Sequence, residues 1–191
     1  MSSSFRIALD NYLAELDVAA DTVIDVGGSQ LPIPKRVKSW AVQKYYIGDL
    51  EQPHIDSPKP DFVVDLNNKK NPDVVGYYGL GNIVFCLEVL DYVYDPVNAF
   101  KILHQLTAVN GRCIVSSGLF YPTHQPLAED SLRYTEFGLR RLAEVVGFTV
   151  EKVIPRRPET NAIEQLWRAE RLRAAKHYDH NALGYIVELR K

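Results

Sequence analysis

Cysteine is scarce in this chain: of 191 residues only Cys86 and Cys113 carry a thiol. Each lies in its own apolar run, with no CxxC and no Cys/His cluster beside it. Buried free thiols in a reducing compartment are therefore expected rather than a disulfide framework. Long apolar runs are missing too, since none approaches the roughly 18 residues a membrane span needs. The first residues, Met1-Ser2-Ser3-Ser4-Phe5-Arg6, lack a basic region followed by an apolar core, so no signal peptide is expected. A formal net charge of -2 leaves no basic excess for nucleic acid. Repeats and low-complexity segments are also absent. These absences point to a cytoplasmic protein with neither nucleic-acid nor membrane partners. At 46% hydrophobic and 24% charged residues, the chain has enough core for one compact domain over residues 1–191.

The patterning that is present alternates helices with strands. Phe5, Leu9, Tyr12, Leu13 and Leu16 recur at helical spacing, which predicts an amphipathic helix over 4–17 capped by Ser3 or Ser4. Apolar β-branched runs predict strands at Thr22–Val26, Tyr45–Gly48, Asp61–Asp65, Ile83–Leu87 and Arg112–Ser117. Pro32 and Pro34 allow at most one or two helical turns between the first two strands, around Lys35–Val42. Asp95-Pro96 starts a helix over Val97–Val109 that Asn110-Gly111 ends, and Thr135–Val146 forms another, closed by Gly147. A charged helix near Ala162–Lys176 separates two last strands, Thr149–Ile154 and Tyr185–Leu189. This order implies an α/β, Rossmann-like doubly wound, mainly parallel seven-stranded sheet with its last strand antiparallel.

One stretch carries chemistry. Val23-Ile24-Asp25-Val26 ends in Gly27-Gly28, which suits a strand whose following turn must approach a ligand closely. Asp49 follows at the end of the next strand, where a carboxylate can hold both hydroxyls of a ribose. In doubly wound sheets such ligands sit beyond the carboxyl ends of the strands. A nucleoside-containing cofactor is the expectation.

The same residues resemble the class I S-adenosylmethionine-dependent methyltransferases over roughly residues 20–150. Val23 to Ser29 resembles that family's cofactor loop. Cys86-Leu87-Glu88-Val89-Leu90-Asp91-Tyr92-Val93-Tyr94-Asp95-Pro96 resembles its fourth-strand motif, and Asn110 to Ser117 the turn and fifth strand. Phe120 to His124, with Asp130, Arg133, Thr135 and Gly147-Phe148, resembles a segment of its small-molecule and glycan branches. The resemblance implies S-adenosyl-L-methionine as cofactor, a cofactor half at about 20–95 and an acceptor half at about 96–191. It implies Gly27 and Gly28 beneath the methionine part and ribose, Asp49 on the ribose hydroxyls, Asp65 on the adenine amine and Leu66 flanking the ring. Leu87 and Glu88 would face the methyl-bearing side, with Glu88 a candidate catalytic carboxylate, and Asp25 would support the cofactor's amino group.

Each assignment has a plainer counterpart. Asp49 and Asp65 are natural turn residues, and Glu88 suits a structural hydrogen bond. His124 is a candidate general base for a hydroxyl acceptor, as is Tyr121, or a loop residue only. Asp130 and Arg133 can pair to fix their loop. Arg156, Arg157, Arg168, Arg171, Arg173 and Lys176 either attract a phosphorylated acceptor or form a solvated face. His177 and His180 miss the i, i+4 spacing, so no metal is expected.

The expected reaction is methylation of a small-molecule or sugar-containing acceptor, most simply at a hydroxyl. Gln30-Leu31-Pro32 after the glycine loop and the short first crossover keep a second reading open, a non-catalytic cofactor-binding or scaffold protein. A homodimer or a protein partner is compatible with either. A nicotinamide enzyme would need Gly-x-Gly-x-x-Gly, which Gly27 to Pro32 does not supply.

Overall fold

In a computed structural model of the protein, residues 3–52, 59–170 and 181–191 are described. The elements are α1 (Ser4–Ala14), β1 (Asp17–Val26), β2 (Ser39–Asp49), β3 (Phe62–Val63), β4 (Gly81–Leu87), α2 (Pro96–Leu106), β5 (Thr107–Gly118), α3 (Glu136–Val146), β6 (Thr149–Arg156), α4 (Ala162–Ala169) and β7 (Gly184–Arg190). They form a seven-stranded sheet in the order β3-β2-β1-β4-β5-β7-β6. The antiparallel strand is β7, inserted between β5 and β6 and antiparallel to both. The remaining ladders are parallel.

Strand side chains alternate between two cores, as the period of two requires. Ile24, Val84, Cys86, Cys113, Val115 and Val187 pack with α2 and α3 on one face. Val23, Ile83, Phe85, Ile114 and Ile186 pack with Leu9 and Leu13 of α1 on the other. Both cysteines are buried and free, and burial pushes both thiols up in pKa.

The helix ends follow local chemistry. Ser3 accepts from the Arg6 N–H at 3.3 Å, and Asp95 accepts from the Asn98 N–H at 3.1 Å with Pro96 at the first helical position. The Thr135 hydroxyl accepts from the Gly138 N–H, and Gly147 closes α3 at φ +97°. Thr135→Ala is expected to cost about 1 kcal/mol, lowering Tm by about 2–4 °C in a chain of this size. A thermal melt checks this; an unchanged Tm would remove the cap from the account.

The strands run longer than their apolar runs. β1 begins at Asp17 and β2 at Ser39, paired in register from Asp17↔Ser39 to Val26↔Gly48. The expected helical turns around Lys35–Val42 shrink to one 3-10 turn, Ile33–Lys35, because the chain is committed to β2 four residues later. Only Phe62–Val63 of the expected third strand pairs with β2. The second helix ends at Leu106, not at Asn110-Gly111. Thr107 is already extended, its hydroxyl donating to the Leu103 carbonyl. Asn110, at φ +60°, and Gly111 belong to an irregularity of β5, held by bonds between Asn110 N–H, Gly111 carbonyl and Lys191. The end of the expected 162–176 helix and His177, Tyr178, Asp179 and His180 lie outside the described residues.

Candidate functional site

Between β3 and β4 the chain crosses β1 and β2, so the order in which strands are added reverses at the parallel β1–β4 pair. The carboxyl ends of those two strands open into a crevice, the usual ligand position in such sheets. A cavity of about 730 Å3 lies there, within the range of small-molecule sites. Asp25, Gly27, Gly28, Asp49, Asp65, Leu66, Leu87, Glu88 and His124 all border it. The residues singled out in the sequence, spread over 100 positions, thus meet at one place.

Gly27 leaves β1 at φ +80° and donates its N–H to the Gly48 carbonyl at 2.7 Å. A Cβ on Gly27 would lie 2.3 Å from the Val89 side chain, and one on Gly28 2.4 Å from the Asp25 carboxylate. The next amide, on Ser29, donates to Asp49 Oδ2 at 3.1 Å, while the Leu50 N–H donates to Oδ1 at 2.8 Å. Each carboxylate oxygen offers two acceptor positions, so one per oxygen is left for a ligand. Asp49 therefore fastens the glycine loop to β2 and still has capacity for a diol.

Asp25 sits behind the loop. It is buried, and its Oδ2 accepts from the Tyr45 hydroxyl at 2.7 Å and the Ile33 N–H at 3.2 Å. Burial outweighs these bonds and pushes its carboxyl up to about 6. Asp65 shapes the far end, where its Oδ1 accepts from the Asn67 N–H at 2.9 Å. Three asparagines that sequence reasoning passed over brace this corner. Asn71 donates to the Asp65 carbonyl, Asn98 to the Leu66 carbonyl, and Asn67 accepts from the Tyr94 N–H. For Asn67 and Asn71 the only sequence signal was the density of asparagines after the third strand; Asn98, in the first turn of α2, had none.

The opposite wall is aromatic. The His124 ring lies 4.6 Å from Tyr121 and 6.2 Å from Tyr92, centroid to centroid. The His124 backbone N–H donates to Asp130 Oδ2 at 2.7 Å, and Asp130 pairs with Arg133, as their spacing suggested. That guanidinium holds the Asp130 carboxyl down at about 2. The His124 Nδ1 is buried without a hydrogen-bond partner. Asp91 borders the same wall, both oxygens on the Gly118 N–H, with burial raising its carboxyl to about 6.

Glu88 is not a free carboxylate. It stands at φ +60°, accepts from the Ser116 hydroxyl at 2.6 Å and is ion-paired with Arg156 at 2.5 Å. Arg156 is fully buried, which corrects its reading as part of a solvated basic face. Arg168, by contrast, is exposed beside Glu164. Among the described residues no group of His, Cys, Asp or Glu is placed to hold a metal, and no helix is long and apolar enough to cross a membrane.

No protein-family model matches the sequence, and no curated protein matches it. Solved structures share its architecture. An S-adenosylmethionine-dependent methyltransferase from Mesorhizobium loti aligns with a TM-score of 0.60 at 15% identity, over 98% of this chain and 96% of that one. A chain of the complex between the Haloferax volcanii Trm112 methyltransferase activator and a methyltransferase gives 0.65 at 14%, over 96% and 87%. The geranyl diphosphate C-methyltransferase of Streptomyces coelicolor, solved with Mg2+, geranyl diphosphate and S-adenosyl-L-homocysteine, gives 0.57 at 13%, over 97% and 79%. The seven-stranded sheet, its switch point and these likenesses together give the chain the class I fold of S-adenosylmethionine-dependent methyltransferases.

Proposed function

We propose that this protein is an S-adenosylmethionine-dependent methyltransferase acting on a small-molecule or sugar-containing acceptor, most simply at a hydroxyl. The observation that carries the reading is the loop at the switch point. Two glycines occupy positions where a Cβ would strike Val89 or Asp25, and Asp49 keeps acceptor capacity beside them. When bound, the cofactor supplies an electrophilic methyl group on a sulfonium. The chain's part is alignment and exclusion of water, which can supply several kcal/mol of the barrier.

Gly27 and Gly28 would pass beneath the cofactor, Asp49 would take the ribose hydroxyls, and the braced Asp65–Leu66 corner would take the adenine. Asp25 holds the loop from behind through Ile33 and Tyr45. Leu87 would face the methyl-bearing side, and Glu88 would help shape it through its ion pair. His124, which borders the cavity, is the proposed general base for the acceptor's proton.

Calorimetric titration with S-adenosylhomocysteine tests the cofactor. Low-micromolar binding, about -7 to -8 kcal/mol, is expected. Asp49→Ala should weaken it by about 100-fold through loss of charge-assisted bonds. The single-turn β1–β2 crossover favours a second reading, a scaffold that acts with a protein partner; the likeness to a chain from an activator complex is compatible with it. No binding at millimolar ligand, in protein shown to be folded, would select that reading.

A further inference from the structure

Arg156 ends β6 and does not border the cavity, yet four of its hydrogen bonds go to residues that do. Its Nε and Nη2 donate to the Phe5 carbonyl at 3.0 and 2.6 Å, and the guanidinium carbon lies 3.3 Å from the centre of the Phe5 ring. Its Nη1 and Nη2 donate to Glu88 Oε1 and Oε2 at 2.5 and 3.1 Å. Glu88 in turn holds the Ser116 hydroxyl, on the neighbouring strand β5. A planar fork with fixed donors suits this arrangement, where a lysine's three donors all radiate from one nitrogen and cannot reproduce the spread of Nε, Nη1 and Nη2.

The coupling continues into the aromatic wall. The Phe5 ring meets Tyr121 at 4.4 Å, and Tyr121 meets His124. Phe5, Glu88, Tyr121 and His124 all border the cavity. Further along, α1 is tied a second time, by Asp10 to Arg36 at 3.1 Å. One buried cation therefore connects the start of α1, the end of β4 and the loop after β5.

We propose that Arg156 is a positioning residue, which sets the acceptor-side wall by fixing Phe5 and Glu88 against each other. It need not touch substrate or cofactor. Its consequence for methyl transfer rests on the cofactor reading above, while the coupling itself is testable in protein without ligand.

The experiment compares wild type, Arg156→Lys and Glu88→Gln by hydrogen exchange and by the His124 ring proton resonance, assigned through its loss in His124→Gln. Arg156→Lys keeps the buried charge and removes the fork. Residues 4–14 and 119–131 should exchange about tenfold faster in both variants, while β5 keeps its protection and the His124 resonance shifts. Glu88→Gln is the second variant in case Arg156→Lys fails to fold: it keeps the shape of the pair and the Phe5 bonds of Arg156 and removes only the carboxylate charge. Uniform acceleration through the sheet would make Arg156 a general stabiliser and overturn the proposal. Unchanged exchange at 4–14 and 119–131, or an unmoved His124 resonance, would also overturn it. Failure to bind S-adenosylhomocysteine would count against the cofactor reading alone, because none of these measurements uses it.

Discussion

Gly27→Ala is expected to destabilise the protein by about 2–5 kcal/mol and to weaken S-adenosylhomocysteine binding by at least about 100-fold. Two separate costs add. A side chain at φ +80° is strained by about 1–2 kcal/mol, and its Cβ would lie 2.3 Å from Val89 Cγ2. Val89 borders the cavity, so either the loop or that wall must move. Adding Val89→Ala separates the terms. The double variant should recover the overlap, a coupling of about 1–3 kcal/mol, and retain the backbone strain. Gly76→Ala is the control, because a Cβ there meets nothing within 4 Å; it should be neutral or stabilising by up to about 1 kcal/mol. Urea denaturation and calorimetry check the set. Equal effects of Gly27→Ala and Gly76→Ala would remove the close-approach argument for the loop.

Stability should fall as pH rises from about 4 to 6, and Asp25→Asn should remove roughly half of that fall. In the unfolded chain aspartate titrates near 4 (about 3.9), whereas burial holds Asp25 and Asp91 at about 6 in the folded protein. Between those values the folded state binds more protons than the unfolded one, so raising the pH favours unfolding, by about 3 kcal/mol for each group. Asp130 acts in the opposite direction. With its carboxyl held at about 2 by Arg133, its contribution is present above pH 4 and is lost as pH falls toward 2. In Asp25→Asn the amide oxygen can keep the Tyr45 and Ile33 bonds, since both fall on Oδ2. Urea midpoints at pH 4, 5, 6 and 7 for wild type, Asp25→Asn and Asp91→Asn read the slopes. Parallel curves for wild type and Asp25→Asn would show that Asp25 ionises at no cost.

Much of this protein is written in short windows of its sequence. The Asp95-Pro96 and Thr135 starts, the Gly147 stop and the Gly27 turn are set by backbone chemistry within a few residues, and all stand in the structure. The apolar runs of β1, β4 and β5 show which segments are buried on both faces. Asp25, Asp49, Asp65 and Glu88, which border the cavity, were legible as well, because strand ends in a doubly wound sheet bring loop residues to one crevice; Asp91 and Glu129, which border it too, were not.

Other features exist only once the chain is folded. β1 and β2 extend back to Asp17 and Ser39 because each supplies the other's hydrogen bonds; the apolar runs of the extensions, Val18–Ala20 and Trp40–Val42, are each too short to mark a strand alone. Asn110-Gly111 reads locally as a helix stop, yet β5 passes through it, held by Lys191 at the other end of the chain. Arg156 is the sharpest case. Its partners lie 151 and 68 residues away, so no spacing in the sequence marks it. A cation among apolar neighbours is stable only when its partners are supplied, and that supply was decided by the order of the strands.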